Sequence, residues 1–326
     1  MDPQKKGVTI GLLGGVFWGL DTVLIGVIVA MSPLRAYSFL APLVAAFLHD
    51  SIASIWTLLY NIVTKQIHTL KEVLLSKKGI FVVLGGILGG PIGMTSYVLA
   101  IHFIGSSDTA IISAMYPAIG TVLGVVFLSE KINKFGVLGL ILIIGSTVIL
   151  SISSSAPPEN LTIGLFFAIV CAFAWGSESV ALAHGLDSAA LPEIALQIRQ
   201  FLSFLIYGLI VIPLIGGYGL VAETFKSPVI WLIVVTAAVG SSALVLYYRS
   251  IENIGAIQSM GLNISYSAWA IFIGLFFGQS AGFREVVLAL VIIAGSILTT
   301  EKPSDFLKVF SFKKTKQTEP IPKEVE

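Results

Sequence analysis

A tryptophan, a glycine and, after one further residue, an acid recur in this 326-residue chain, as Trp18-Gly19-Leu20-Asp21 and again as Trp175-Gly176-Ser177-Glu178. The copies are 157 residues apart. Both lie inside long apolar stretches, where a carboxylate at a helix centre costs roughly 2.5 to 3.5 kcal/mol to insert. A charge at that depth is ordinarily functional or paired. Glu178, flanked by Ser177 and Ser179, can act as counter-ion to a cation or as a proton site. It can also serve only as the ion-pair partner of Arg199, holding helices together. Asp21, its counterpart, reads as a second cation ligand, a proton site or a helix-to-helix hydrogen bond. His49 and Asp50 are adjacent within another apolar stretch. Neighbours on a helix point about 100° apart, so the two cannot both face one small ligand squarely. A His-carboxylate pair at depth suits a proton relay, or simple hydrogen bonding to each other or to a nearby helix. Arg199 reads as a gate or ion-pair residue, away from the binding site if the substrate is a cation, which it would repel; standing in a cavity, it would favour an anionic or carboxylate-bearing substrate.

The elements that must position these groups are membrane helices. Hydrophobic residues make up 56% of the chain and charged residues 11%, with a mean hydropathy of +0.95, whereas a soluble domain carries about 25% charged residues. The apolar stretches are about 20 residues long, enough to cross a bilayer core as a helix. Alternating barrel strands are absent. Pro, Gly and charge punctuate ten predicted helices, over 8–30, 35–63, 80–103, 108–128, 134–153, 160–184, 193–215, 228–250, 256–278 and 284–300. The first reads as a retained helix rather than a signal peptide. With the N-terminus in the cytoplasm, that side holds 15 Lys and Arg against three opposite, so both termini are expected there.

The Trp-Gly copies belong to a wider repeat. At a spacing of 150, Tyr97 matches Tyr247, Ile104-Gly105 matches Ile254-Gly255, Tyr116 matches Tyr266, and Gly145-Ser146 matches Gly295-Ser296. A seven-residue shortening in the second half reconciles the two spacings. Five helices per half is an odd number, so the halves are expected to be inverted, with a binding site near the midplane between them and alternating access around it. The expected division is 1–154 and 155–300 for the two repeats, joined by a Ser-Ala-Pro linker at 153–158, with a basic cytoplasmic tail over 301–326. Glycines crowd the first and third helices and read mainly as close packing. Flexing at Gly89-Gly90-Pro91 is a second reading.

This architecture, the doubled Trp-Gly cluster and the segment Phe127-Leu128-Ser129-Glu130-Lys131 resemble the drug/metabolite transporter superfamily in its ten-helix, EamA-like form, over residues 8–300. Five stretches are similar to the bacterial choline transporters that feed phosphorylcholine decoration of teichoic acid or lipopolysaccharide. They are Gly90-Pro91-Ile92-Gly93-Met94, Ile104-Gly105-Ser106-Ser107, Ala174 to Val180, Ile198-Arg199-Gln200 and Gly261 to Tyr266. A quaternary ammonium donates no hydrogen bond, so aromatic faces and a nearby carboxylate must recognise it. Helix-interior aromatics are Trp18, Trp175, Tyr97, Tyr116, Tyr247, Tyr248, Tyr266 and Trp269; Trp and Tyr also mark lipid interfaces. The resemblance favours Trp18, Trp175, Tyr247, Tyr266 and Trp269 as substrate contacts, with Tyr97 beside them, Glu178 as counter-ion and Asn263 as a polar contact. Asp21, His49, Asp50 and Arg199 remain for coupling or gating.

No phosphate loop, metal-spaced His/Cys cluster or Ser-His-Asp arrangement appears, so no metal or cofactor is expected. The lone Cys171 cannot form an intrachain disulfide. Net charge of +1 gives no basic surface for nucleic acid. The expected protein is a multi-pass importer of choline in a bacterial inner membrane, complete as a monomer, its partners being the small cation and the bilayer. Export of amino acids or other metabolites is the alternative, and a membrane enzyme a more distant one.

Overall fold

The computed structural model describes residues 2–151, 159–186 and 191–300, without the side chains of Ser106 and Ser107. The predicted linker at 153–158 and tail at 301–326 lie outside the described residues. Among the described residues the fold is all helical. The first half comprises α1 (Pro3–Val29), α2 (Leu40–Val63), α3 (Thr69–Leu75), α4 (Gly79–Ile87), α5 (Gly93–Ser113), α6 (Tyr116–Leu128) and α7 (Lys134–Ser151). The second comprises α8 (Leu161–Leu186), α9 (Pro192–Ile206), α10 (Ile212–Leu214), α11 (Tyr218–Lys226), α12 (Val229–Asn263), α13 (Tyr266–Phe276) and α14 (Phe283–Leu298). One π turn, Leu88–Ile92, joins α4 to α5, and another, Tyr207–Val211, joins α9 to α10.

Eight segments are long and apolar enough to span a bilayer, and α13 is a shorter apolar helix. The longest segment, α12, joins the eighth predicted helix to the first part of the ninth at Gly255, whose φ of 81° only glycine adopts without strain. Ser250 Oγ and Ser259 Oγ lie 2.9 Å apart across this point. Nine residues of straight helix would separate them by about 13 Å, so the chain folds back on itself. Gly105, at φ 82°, breaks α5 in the same way 150 residues earlier. Second breaks follow at Ala114-Met115 and Ile264-Ser265, again 150 apart. Predicted boundaries shift, and the first helix starts at Pro3 rather than 8. The second helix starts at Leu40 rather than 35, because Pro42 fits only a first helical turn, and the eighth runs on to Gly255. The short helices α3 and α11, absent from the sequence reading, lie between successive spans in the two halves.

Packing repeats with the sequence. Helix α1 packs on α12 and α13 as α8 packs on α5 and α6, α2 packs on α9, and α7 on α14. Glycines of α1 make the first contact close: Gly11 faces Ser250 and Leu262, and Gly15 faces Ser265, the use that their spacing predicts. Large apolar side chains such as Phe276, Phe283 and Leu214 remain exposed on the outside of the bundle, where lipid would cover them.

The turn at Gly255 is capped from the other half. Both carboxylate oxygens of Glu130 accept backbone N–H groups, from Ala256 at 2.8 Å and Ile257 at 2.9 Å. An acid at a helix N-terminus satisfies orphan donors and opposes the helix dipole. Glu130→Ala is expected to destabilise the fold by about 2 kcal/mol, read as a lowered thermal midpoint in detergent, with Glu130→Gln intermediate. An unchanged midpoint in both variants would show that the cap does not hold the turn.

Candidate functional site

The repeat brings aromatic rings together at the centre of the bundle. Trp18 of α1 meets Tyr266 of α13 with ring centroids 6.2 Å apart, and Trp175 of α8 meets Tyr116 of α6 at 6.0 Å, nearly edge to face. These are the same contact made twice, between tryptophans 157 residues apart and tyrosines 150 apart. The four rings and Tyr247 line one cavity of about 50 Å³, with Glu178, Arg199 and Asn263 completing its polar wall. A water requires about 10 to 15 Å³ on this measure, so the cavity in this form holds only a few waters. Asn263 donates through Nδ2 to Tyr116 Oη at 3.3 Å, and its Oδ1 is buried with no partner. Tyr247 Oη shares a 2.6 Å hydrogen bond with Ser179.

Two predicted contacts stand outside this lining. Tyr97 packs on Trp175 at 5.3 Å without reaching the cavity. Trp269 packs near Phe272 at 6.3 Å, with its indole N–H unpartnered. Tyr116, weighed among the helix-interior aromatics but not carried into the predicted site, is part of the lining. Its repeat relation to Tyr266 was the signal that could have placed it there.

Glu178 is held from three sides. Its Oε1 accepts Arg199 Nε at 3.0 Å and Tyr248 Oη at 2.9 Å, and both charged side chains are more than nine-tenths buried. The third side is Gly89. A Cβ there would fall 1.8 Å from the Glu178 carboxyl carbon, so α8 can insert its acid only against a glycine. The Gly89 carbonyl accepts the indole N–H of Trp175 at 3.2 Å, from within the π turn Leu88–Ile92 that interrupts the regular helical ladder. The Gly89-Gly90-Pro91 stretch is therefore a socket for the two best-supported residues of α8. Gly89→Ala is expected to push the carboxylate off Arg199 and Tyr248 and to reduce ligand affinity at least tenfold. Isothermal titration of the purified variant checks this, and unchanged affinity would remove the socket's role.

A second acid-base pair mirrors the first. His49 Nε2 lies 3.1 Å from Asp21 Oδ1, its Nδ1 lies 3.0 Å from Asp50 Oδ1, and Ser203 Oγ donates to Asp50 Oδ2 at 2.5 Å. Asp21 precedes Glu178 by 157 residues, and His49 precedes Arg199 by 150, which are the two spacings of the repeat. The duplicated unit is thus an acid on the first helix paired with a base on the second. One copy keeps a permanent charge in Arg199, whereas the other has a histidine that can gain or lose a proton. With a carboxylate at each ring nitrogen, only the imidazolium donates on both sides. Helix α12 closes over this pair at Gly240, where a Cβ would lie 2.6 Å from His49 Nε2. The spacing of 150 between His49 and Arg199 is the signal in the sequence for this relation.

Arg199 is expected away from the aromatic box if the substrate is choline, and the structure places it in the box instead. It lines the same cavity, with its charge matched by Glu178. Among the described residues no cluster of His, Cys, Asp and Glu could hold a metal ion. The arrangement is a ring-lined chamber with one carboxylate, one guanidinium and one amide oxygen without a partner.

Residues 5–152 match the EamA-like transporter family. The chain is 29% identical over 298 residues to Protein LicB of Haemophilus influenzae, across 90% of this chain and 97% of that protein. A protein crystal structure of 16% sequence identity superposes with a TM-score of 0.67, covering 90% of this chain and 97% of the other; that likeness concerns the fold alone. The chain is a multi-pass membrane protein, similar to the EamA-like transporter family over its first half and to LicB over nearly all of its length.

Proposed function

We propose that the protein imports choline, or a close quaternary ammonium, by alternating access across a bacterial inner membrane, both termini being cytoplasmic. The observation that carries this reading is the chamber itself. Aromatic faces from both halves surround one carboxylate and one unpartnered amide oxygen. A trimethylammonium group would sit against Trp18 and Trp175 by cation-π attraction, with Glu178 offsetting its charge. The substrate hydroxyl would donate to Asn263 Oδ1. At about 50 Å³ the chamber must expand to load. On loading, the cation takes the place of Arg199 at Glu178, and Arg199 turns toward Asp50, which lies within its electrostatic reach. The two repeats, divided near 154, would rock around this site.

The membrane potential alone favours inward movement of a fixed cation by about 2.3 kcal/mol per 100 mV, roughly fiftyfold. A coupled proton would add to this, and the Asp21-His49-Asp50 cluster is where it would bind. One observation favours a second reading: Arg199 in the chamber wall is what a carboxylate-bearing substrate would need, as in export of an amino acid or other metabolite. Proteoliposome uptake of labelled choline under an inside-negative potential, with and without a pH gradient, tests the first reading. Lack of uptake under both conditions would sink it. Titration with choline and with a carboxylate-bearing analogue separates the two readings, since binding of the analogue alone supports the second.

A further inference from the structure

Below His49 the two helices α2 and α9 face each other through polar side chains rather than apolar ones. On α2, Asp50, Ser54, Thr57 and Asn61 follow at intervals of four, three and four residues, which places them on one narrow helix face. On α9, Glu193, Gln197, Gln200 and Ser203 form the opposing stripe. All eight are buried. The stripes pair in order along the seam: Ser203 donates to Asp50, Gln197 Nε2 to Ser54 Oγ at 3.2 Å, Thr57 Oγ1 to Gln197 Oε1 at 2.9 Å, and Asn61 Nδ2 to the Glu193 carbonyl at 3.2 Å. Between these pairs the seam is incomplete. Neither amide atom of Gln200 has a partner, nor does Asn61 Oδ1, and both residues are fully buried. A buried amide left without partners costs about 1 to 3 kcal/mol per group, unless ordered water supplies the missing bonds.

Both ends of the seam are open to chemistry. At its lower end a cleft of about 600 Å³ reaches Thr57, Asn61 and Glu193. Arg249, ion-paired with Glu193, stands at that end. At its upper end Asp50 contacts His49, and His49 contacts Asp21. The charged groups facing His49 are Asp21 from α1 and Asp50 from its own helix, with Arg199 of α9 and Glu178 of α8 beyond Asp50; α12 presents Gly240. From Asp50 to Asn61 the helix rises only about 17 Å.

We infer that the α2–α9 seam is a water-holding proton path that joins the Asp21-His49-Asp50 cluster to the cleft beside Arg249. The His49 imidazolium passes its Nδ1 proton to the Asp50 carboxylate, leaving neutral imidazole and a carboxylic acid. The acid returns to carboxylate by giving that proton to a water held at Gln200. From there the proton passes through waters held by the side chains of Ser54, Thr57, Gln197 and Asn61 into the cleft, and the amides hold these waters without themselves taking the proton. Arg199, fixed in charge, takes no proton. The inference deepens the proton-coupled form of the proposed transport, and its first test needs no transport at all.

That test uses the S–H stretch of a cysteine, which shifts when deuterium replaces the proton. The chain has one cysteine, Cys171, buried in α8 away from the seam, and its exchange sets the reference. Gln200→Cys in a Cys171→Ala background, reconstituted in lipid and moved to D₂O, is expected to exchange at least tenfold faster than Cys171 in the unaltered protein. Exchange no faster than Cys171 would overturn the path. In the second test, Gln200→Leu should keep choline counterflow within twofold while losing at least tenfold in uptake driven by a pH gradient. Retained gradient-driven uptake would overturn the seam's role in coupling. If the unaltered protein takes up no choline, the proposed substrate fails and the exchange measurement still decides whether water occupies the seam.

Discussion

Glu178→Gln is expected to lower choline affinity by roughly tenfold to 150-fold, the equivalent of the 1.5 to 3 kcal/mol that an interaction with a charged group contributes. It is the one carboxylate lining the chamber, so no neighbour can replace it there. The single substitution also strands Arg199. Breaking a buried pair by removing one partner costs about 3 to 5 kcal/mol, because the remaining charge is uncompensated, whereas removing both charges is often close to neutral. The informative comparison therefore includes Glu178→Gln/Arg199→Gln. The double variant is expected to recover the thermal midpoint that the single variant loses and still to bind choline poorly. Calorimetric titration and thermal unfolding of both proteins separate the roles. Should the double variant bind choline as the unaltered protein does, Glu178 is a structural partner of Arg199 and the cation must be held by the rings alone.

The membrane helices and the repeat were legible because both depend on quantities a sequence displays directly, apolar length and fixed spacing. Trp18, Trp175, Tyr247, Tyr266, Glu178 and Asn263 meet around one chamber, as their positions in the two halves and the family resemblance imply. What spacing cannot display is depth and occlusion. Trp269 lies three residues beyond Tyr266, nearly a full turn further along α13, and that turn takes it out of the chamber. Tyr97 occupies the repeat position of Tyr247 but lies against Trp175 outside the lining. Arg199 was read as a charge that must keep its distance from a bound cation. The structure makes the 3.0 Å pair with Glu178 that the sequence offered as the alternative, and places it in the chamber wall, which spacing alone does not display. The α2–α9 seam was hidden for the same reason, since its two stripes are separated by more than 130 residues and become one feature only when packed.

His49→Gln is expected to leave choline binding and counterflow intact and to abolish the response of uptake to a pH gradient. One proton moving inward with each choline adds about 1.4 kcal/mol per pH unit, so an acidic exterior should raise the accumulation ratio of the unaltered protein roughly tenfold per unit. Glutamine at 49 can hydrogen-bond to Asp21 and Asp50 but carries no ionisable proton. Accumulation by the variant should therefore remain at the level the potential supports, roughly fiftyfold per 100 mV, at any external pH. Asp21→Asn removes the carboxylate on the other face of the ring and should behave alike. The repeat gives the contrast its force: the equivalent position in the second half is Arg199, which cannot release a proton in the working range. A proton coupled through an acid-base pair must then use the first-half pair, while the second-half pair answers to the substrate's charge. A pH response that survives in His49→Gln but disappears in Glu178→Gln would reverse that division of labour and move the coupling site into the chamber.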